Sequence, residues 1–297
     1  MEYPDFSATV QTVRNSVVAV HGRQRMPSSG FCWQASVVVT AEHTLKRDDD
    51  LELTLPGLAR APATLVGRDP GTDLAVLRTE APLTPLARAQ GSPQVGQWVL
   101  AVSLSPDDGI AASLGIVSGV GGPWRTWRGG QVDAFLRPDL TLYPGFSGGP
   151  LVSPAGHVIG LNTSALSRSM NLTIPVQTIE RVVNDILTKG RVSRGYLGVG
   201  MQPIHLPPRV QEKLGLTHGG GVIVVTVEDD SPADRSGVVV GDILTVLAGQ
   251  PVHETEDVLA LLGPDAIGQS LPAVLVRGGV RHELDLQVGE RPNRRGC

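Results

Sequence analysis

The residue of this chain best placed to act as a nucleophile is a Ser inside a tight turn. Residues 143–151 read Y-P-G-F-S-G-G-P-L, so Ser147 is enclosed by Gly145 on one side and by Gly148, Gly149 and Pro150 on the other. Such a turn leaves the hydroxyl little steric cover and lets backbone N–H groups converge beside it. Acyl transfer needs that geometry: an exposed Oγ, with donors aimed where a carbonyl oxygen becomes an oxyanion. On this reading Ser147 is the nucleophile, and the N–H groups of Gly145 and Ser147 form the oxyanion hole. Taken alone, the stretch fits a Gly- and Pro-rich turn between two strands equally well.

A Ser of this kind needs a base, and the base needs a carboxylate. His43 follows V-V-V-T-A-E, just past the end of an apolar strand, where a ring can face a cleft. Asp73 sits in G-R-D-P-G-T-D-L-A-V-L at the start of another strand, where neighbouring N–H groups can hold a carboxylate ionised. In isolation each has an ordinary alternative, a surface imidazole and a turn-capping Asp. The remaining histidines, His21, His157, His205, His218, His253 and His282, show no metal spacing, and H-E-T-E at His253 lacks the second His of a zinc helix. No metal and no other cofactor is expected.

The elements that must position these residues are short. With 297 residues, 41% hydrophobic and 18% charged, 36 Gly and 23 Pro, the chain reads as two mainly β domains with many turns. Strand-like runs cover residues 16–20, 36–41, 51–55, 63–66 and 74–78, after a helix over 6–15 capped by Asp5. A second set begins at Trp98 and ends in a hairpin, 148–153 with 157–162, directly after the nucleophile turn. A helix over 176–189 carries Ile179, Val182, Val183, Ile186 and Leu187 on one face and stops at Gly190. Two sets of about six strands suggest two barrels with a cleft between them. The net charge of −4 gives no reason to expect nucleic acid or an anionic membrane as partner, and no apolar run approaches the ~18 residues of a membrane span. A soluble chain is expected. Cys32 and Cys297 read as a buried small hydrophobe and a tail thiol.

Taken together, V-V-V-T-A-E-H, T-D-L-A-V-L, A-S-L-G-I-V-S-G, P-G-F-S-G-G-P-L-V and G-L-N-T-S, in that order, resemble the HtrA/Deg family of trypsin-like serine proteases over roughly residues 6–190. The resemblance implies a double β-barrel with Ser147 as nucleophile, His43 as general base and Asp73 as the carboxylate that orients it. It also implies a specificity pocket walled by Thr141, Leu142, Thr163, Ser164 and Ala165. None of these is an acid or a base, so small or aliphatic side chains are expected there. Phe146 stands where the family usually has Asn, and the segments 28–41 and 165–171 are short for it. The Gly-rich stretch 119–130 carries Trp124, Arg125, Trp127 and Arg128. It reads either as a hairpin tip with its aromatics tucked against the barrel or, by the resemblance, as the loop that senses ligand or neighbouring subunits.

After a short polar linker, 191–195, the segments Y-L-G-V-G and S-P-A-D-R-S-G-V-V-V-G-D resemble a PDZ domain over 196–290, with a tail over 291–297. This implies capture of a peptide C-terminus by the backbone of Tyr196, Leu197, Gly198 and Val199, with β-addition to the strand that follows. Plain turn geometry is the alternative for Y-L-G-V alone. The combined expectation is a serine endopeptidase of protein quality control, cutting unfolded or damaged proteins. The alternative is a proteolytically idle peptide-binding adaptor or chaperone. By the resemblance a homo-trimer forms through Tyr3 and Phe6. The N-terminus has no signal-like core, which implies the cytoplasm if Met1 is the native start and an extracytoplasmic, periplasmic place otherwise.

Overall fold

Short β-branched runs that are apolar on both faces can be buried only if a sheet closes on itself or is covered. The computed structural model, which describes residues 5–24, 26–167, 169–216 and 218–290, does both. The chain divides into two compact units, the first ending at Val192 and the second beginning at Ser193. Tyr3 and Cys297, singled out above, lie outside the described residues.

The first unit opens with α1 (Phe6–Val13), whose first turn is capped by the Asp5 carboxylate accepting from Ser7 N–H at 2.9 Å. Strands β1 (Val17–His21), β2 (Ser28–Gln34), β3 (Val37–Ala41), β4 (Leu51–Thr54), β5 (Arg60–Asp69) and β6 (Leu74–Arg78) form a closed barrel in the order β1-β2-β3-β6-β5-β4. Strand β2 was not among the expected runs. Its Ser28, Ser29 and Gly30 look like a turn in sequence, yet all are buried, because the two hydroxyls find partners inside and Gly30 fits between Val20 and Val38.

The second barrel comprises β7 (Trp98–Ser105), β8 (Gly109–Gly121), β9 (Trp124–Arg125), β10 (Gln131–Val132), β11 (Phe135–Asp139), β12 (Pro150–Val152), β13 (Val158–Thr163) and β14 (Leu172–Pro175). Its main sheet runs β11-β8-β7-β12-β13-β14, with the edge strands β11 and β14 lying close together, and β9 pairs with β10 as a separate ribbon. Helix α2 (Val176–Lys189) follows with the predicted face inward. Ile179, Val182, Val183 and Ile186 are buried in a core shared with Val17, Val39, Val76 and Val102 of both barrels. Gly190, left-handed at φ 74°, ends it.

In the second unit, β15 (Gly195–Tyr196), β16 (Val199–His205), α3 (Pro208–Leu214), β17 (Gly220–Val227), α4 (Pro232–Arg235), β18 (Ile243–Leu247), β19 (Gln250–Pro251), α5 (Thr255–Leu261), β20 (Ser270–Arg277), β21 (Val280–Gln287) and β22 (Gly289–Glu290) follow in order. The main sheet runs β16-β17-β18-β20-β21, leaving β16 on an edge, and its core holds Leu197, Val222, Leu247, Val258, Leu275 and Leu286. Buried Asp242 is held by Arg277 at 2.7 and 2.8 Å. No described helix is long and apolar enough to cross a membrane.

Candidate active site

His43 stands on a single 3-10 turn, Glu42–Thr44, that closes the end of β3. The turn is fixed from below: Thr44 Oγ1 donates to Ala41 O at 2.7 Å and receives Ser28 Oγ at 2.9 Å. Asp73 ends the turn between β5 and β6 in the left-handed region, φ 59°, which costs a non-Gly residue about 1–2 kcal/mol unless its surroundings hold it there. They do. The Asp73 carbonyl accepts from Glu42 N–H at 3.1 Å, and Asp69 ties the same turn through Gly71 N–H and Thr72 Oγ1.

The Asp73 side chain is 1% exposed and is surrounded by donors. His43 N–H donates to Oδ1 at 2.8 Å, His43 Nδ1 lies 3.1 Å from Oδ1 and 2.9 Å from Oδ2, and Thr163 Oγ1 donates to Oδ2. An ionised carboxylate only accepts, so this arrangement puts the proton of a neutral His43 on Nδ1 and leaves Nε2 free as a base. The His43 side chain is 22% exposed, open on that side.

Ser147 lies in the turn after Tyr143, and that turn is pinned from both barrels. Ser29 N–H donates to Ser147 O at 3.0 Å, Ser29 Oγ donates to Gly145 O at 2.8 Å, and Gly148 N–H donates to Asn162 O at 2.8 Å. Gly148 must be Gly: φ is 87°, and a Cβ there would come within 2.1 Å of Ser29 O. Among the described residues neither Gly145 N–H nor Ser147 N–H has an acceptor. Ser147 Oγ lies 3.2 Å from Ser164 Oγ, and no hydrogen bond joins it to His43 among those residues.

His43 and Ser147 line one open cleft of about 730 Å³. Leu142, Tyr143, Pro144, Gly145 and Ser164 form one side, with no charged side chain among them, and Arg23, Gln24 and Met26 from the β1–β2 connection form the other. Of the expected pocket walls, Leu142 and Ser164 reach this cleft. Thr141 and Ala165 are not among its lining residues, and Thr163 is fully buried with its hydroxyl on Asp73. The role of Thr163 had no signal in sequence, since it pairs with a residue 90 positions earlier. Ser29 and the wall of Arg23, Gln24 and Met26 were missed as well, because that stretch carries no strand-like or catalytic pattern.

The 119–130 stretch splits its residues between two jobs. Trp124 is half-buried, edge-on to Phe135 with ring centroids 6.1 Å apart, and Arg125 pairs through its backbone with Gln131. Thr126 is buried and donates to Gly71 O at 2.6 Å; Trp127 is exposed. Arg128 stacks over Trp127 and reaches Glu42 at 3.5 Å. The hairpin is therefore bolted to the two segments that carry His43 and Asp73. Cys32 takes no part: burial pushes its thiol up to about 11, where it stays protonated and inert.

In the second unit Tyr196 ends β15, Leu197 is buried and Val199 begins edge strand β16. Gly198 lies between them at φ 81°, and a Cβ there would come within 2.2 Å of Ser231 Cβ. Gly198 O accepts from Glu228 N–H and Leu197 O from Ala233 N–H, both at 2.8 Å, so the loop is anchored through its carbonyls. Among the described residues the N–H groups of Leu197 and Gly198 have no acceptor.

Comparison with known proteins agrees with this layout. A family model for a trypsin-like peptidase domain matches residues 28–161, and one for a PDZ domain matches residues 195–288. The class is therefore a trypsin-like serine peptidase joined to a PDZ domain. The probable periplasmic serine endoprotease DegP-like of Pseudomonas putida (strain GB-1) is 33% identical over 273 residues, 89% of this chain and 56% of that protein. Its namesake in Brucella suis biovar 1 (strain 1330) is 32% identical over 286 residues, 93% and 55%. The chain thus spans little more than half the length of the curated relatives it matches. Among solved structures, the serine endoprotease from Yersinia pestis superposes with a TM-score of 0.74 at 25% identity, covering 98% of this chain and 100% of that one. The HtrA-type protease AlgW with decapeptide gives 0.73 at 27%, covering 97% and 99%. The chain belongs to the HtrA family of serine proteases, with one PDZ domain.

Proposed function

We propose that the chain is a serine endopeptidase of protein quality control, cutting unfolded or damaged proteins after small or aliphatic residues by an acyl-enzyme mechanism. The observation that carries the reading is the buried Asp73 carboxylate, whose hydrogen bonds fix the proton of His43 on Nδ1 at the rim of the cleft that holds Ser147. Nε2 of His43 takes the proton as Ser147 Oγ attacks the scissile carbonyl, and the imidazolium so formed is stabilised by Asp73. The N–H groups of Gly145 and Ser147 receive the oxyanion. The protonated His43 then gives its proton to the leaving amine, and a water deprotonated by the same nitrogen hydrolyses the ester. Ser147 Oγ must leave Ser164 for this, a rotation about χ1 that substrate binding can drive.

Leu142 and the uncharged side chains beside it support an apolar P1 residue, because a Lys or Arg buried there would lack a counter-charge. The edge position of β16 and the N–H groups of Leu197 and Gly198, which have no acceptor among the described residues, support capture of peptide C-termini by β-addition at Tyr196–Val199. The decapeptide named with the HtrA-type relative is consistent with a peptide ligand. The compartment we assign is the periplasm, for which the curated relatives are named. A homo-trimer is assigned by the resemblance, with Phe6, which packs on half-exposed Trp98 at 5.9 Å, as its described contact.

The Ser147–Ser164 contact favours a second reading, a peptide-binding adaptor whose protease site is idle. Cleavage of unfolded casein by the wild type and by Ser147→Ala, with product termini mapped by mass spectrometry, separates the two. Cuts after Val, Ala or Leu that vanish in the variant support the endopeptidase. No cutting by the wild type, with a PDZ-binding peptide present, supports the adaptor.

A further inference from the structure

Phe146, next to the nucleophile, replaces the Asn usual in the family with a large apolar side chain. That side chain points away from the cleft. It is 4% exposed and sits in a core cluster with Val99, Val117, Leu136, Leu151 and Ile159, with Leu142 packed on the same cluster. Its ring also lies 5.8 Å from that of Tyr143. The backbone on either side is closed into a turn, with Phe146 N–H donating to Tyr143 O and Gly149 N–H to Phe146 O, each at 3.0 Å.

Among the described residues the two N–H groups that flank Phe146 have no acceptor, and the Gly145 carbonyl beside them is held by Ser29 Oγ. Ser29 is itself buried, which shields that bond from water. The phenyl ring in its close-packed core adds a second anchor, because withdrawing it exposes the ring and leaves a cavity. An Asn at the same place would bring an amide into an apolar cluster and weaken the anchor.

We propose that Phe146 is a positioning residue that keeps the oxyanion hole assembled in the unliganded protein, so that turnover does not wait for a peptide at the PDZ domain. The proposal rests on Ser147 being the nucleophile. Phe146 touches no reacting atom; it acts through the Gly145 and Ser147 N–H groups.

The test uses the full chain as wild type, Phe146→Asn, Phe146→Leu and Ser147→Ala. A fluorophosphonate probe reports the rate of Ser147 modification, with and without a peptide bearing an apolar C-terminus, and a fluorogenic peptide gives kcat and KM. The wild type should label equally fast with and without the peptide. Phe146→Asn should lose about tenfold or more in labelling rate and kcat, with KM within about twofold, as expected when transition-state donors are misplaced. Phe146→Leu, still apolar, should keep most of both. Wild-type labelling that requires the peptide overturns the proposal, as does a folded Phe146→Asn protein with wild-type kcat. If Phe146→Asn does not fold, the wild-type comparison and Phe146→Leu decide. Labelling absent from the wild type under every condition, or persisting in Ser147→Ala, instead refutes the assignment of Ser147.

Discussion

Asp73→Asn should spoil catalysis while leaving the chain folded. The native carboxylate accepts from His43 N–H, His43 Nδ1–H and Thr163 Oγ1–H. An Asn keeps one acceptor oxygen, which can stay on His43 N–H, and turns its NH2 toward His43 Nδ1 and Thr163 Oγ1. Both can become acceptors, the Thr by rotating its hydroxyl and the His by moving its proton to Nε2. The nitrogen facing Ser147 is then no longer a base, and the buried Thr163 hydroxyl, which already accepts from Ala165 N–H, loses the acceptor for its own hydrogen. The expected loss in kcat is about 10³–10⁴-fold, or about 4–5.5 kcal/mol of transition-state stabilisation. With one buried hydroxyl donor left unpaired, about 1–3 kcal/mol, the thermal midpoint should fall by roughly 2–10 °C with the chain still folded. Initial rates on a peptide substrate and a calorimetric scan of the same preparation measure both. A loss under tenfold, or unfolding of the first barrel, would refute this account of the hydrogen-bond network.

Three further outcomes follow from the same contacts. Thr163→Val keeps the shape but removes a donor to a buried carboxylate, so denaturant titration should register a loss of about 1.5–3 kcal/mol, whereas a mere pocket wall would change specificity with stability intact. Gly198→Ala should weaken binding of a fluorescent C-terminal peptide by about tenfold, because the added methyl pushes the Tyr196–Val199 loop off Ser231; anisotropy titration tests it. In the second unit, burial opposes the charge on Asp242, but the hydrogen bonds from Arg277 and Val239 N–H, with the Arg277 charge, outweigh it and hold its carboxyl below the usual range. A group depressed in the folded state contributes stability above its unfolded pKa, about 4, and that contribution is lost as the pH falls through the folded value. Arg277→Ala should therefore destabilise the unit by about 1–3 kcal/mol near neutral pH, the half-exposed Arg limiting the effect, and should flatten the loss of stability in acid.

What could be read from the sequence was what periodicity and punctuation encode. The apolar face of α2 and its stop at Gly190, the β3 and β6 runs, and the hairpin after Ser147 obey local rules and stand where those rules put them. Strand β2 did not, because Ser28 and Ser29 are polar residues whose partners, Thr44 and Gly145, are set by tertiary contacts. The same reason hides Thr163 at Asp73 and Arg128 at Glu42: a side chain's partner across a cleft leaves no trace in spacing. The direction of Phe146 was equally illegible, since one apolar residue in a Gly-rich turn has no neighbours in sequence to show which way it faces.

The Thr163 hydroxyl on Asp73 also sets a timetable. A chain emerging from the ribosome displays His43, Asp73 and even Ser147 before Thr163 has been made, and Asn162, which anchors the nucleophile turn, comes equally late. The first barrel alone can approximate its half of the site, but the carboxylate lacks its third donor and the turn lacks its clasp until β13 is laid down. Cutting power thus arrives with nearly the last strand of the second barrel rather than with the nucleophile itself, and a half-made chain is a poor threat to its neighbours and to itself.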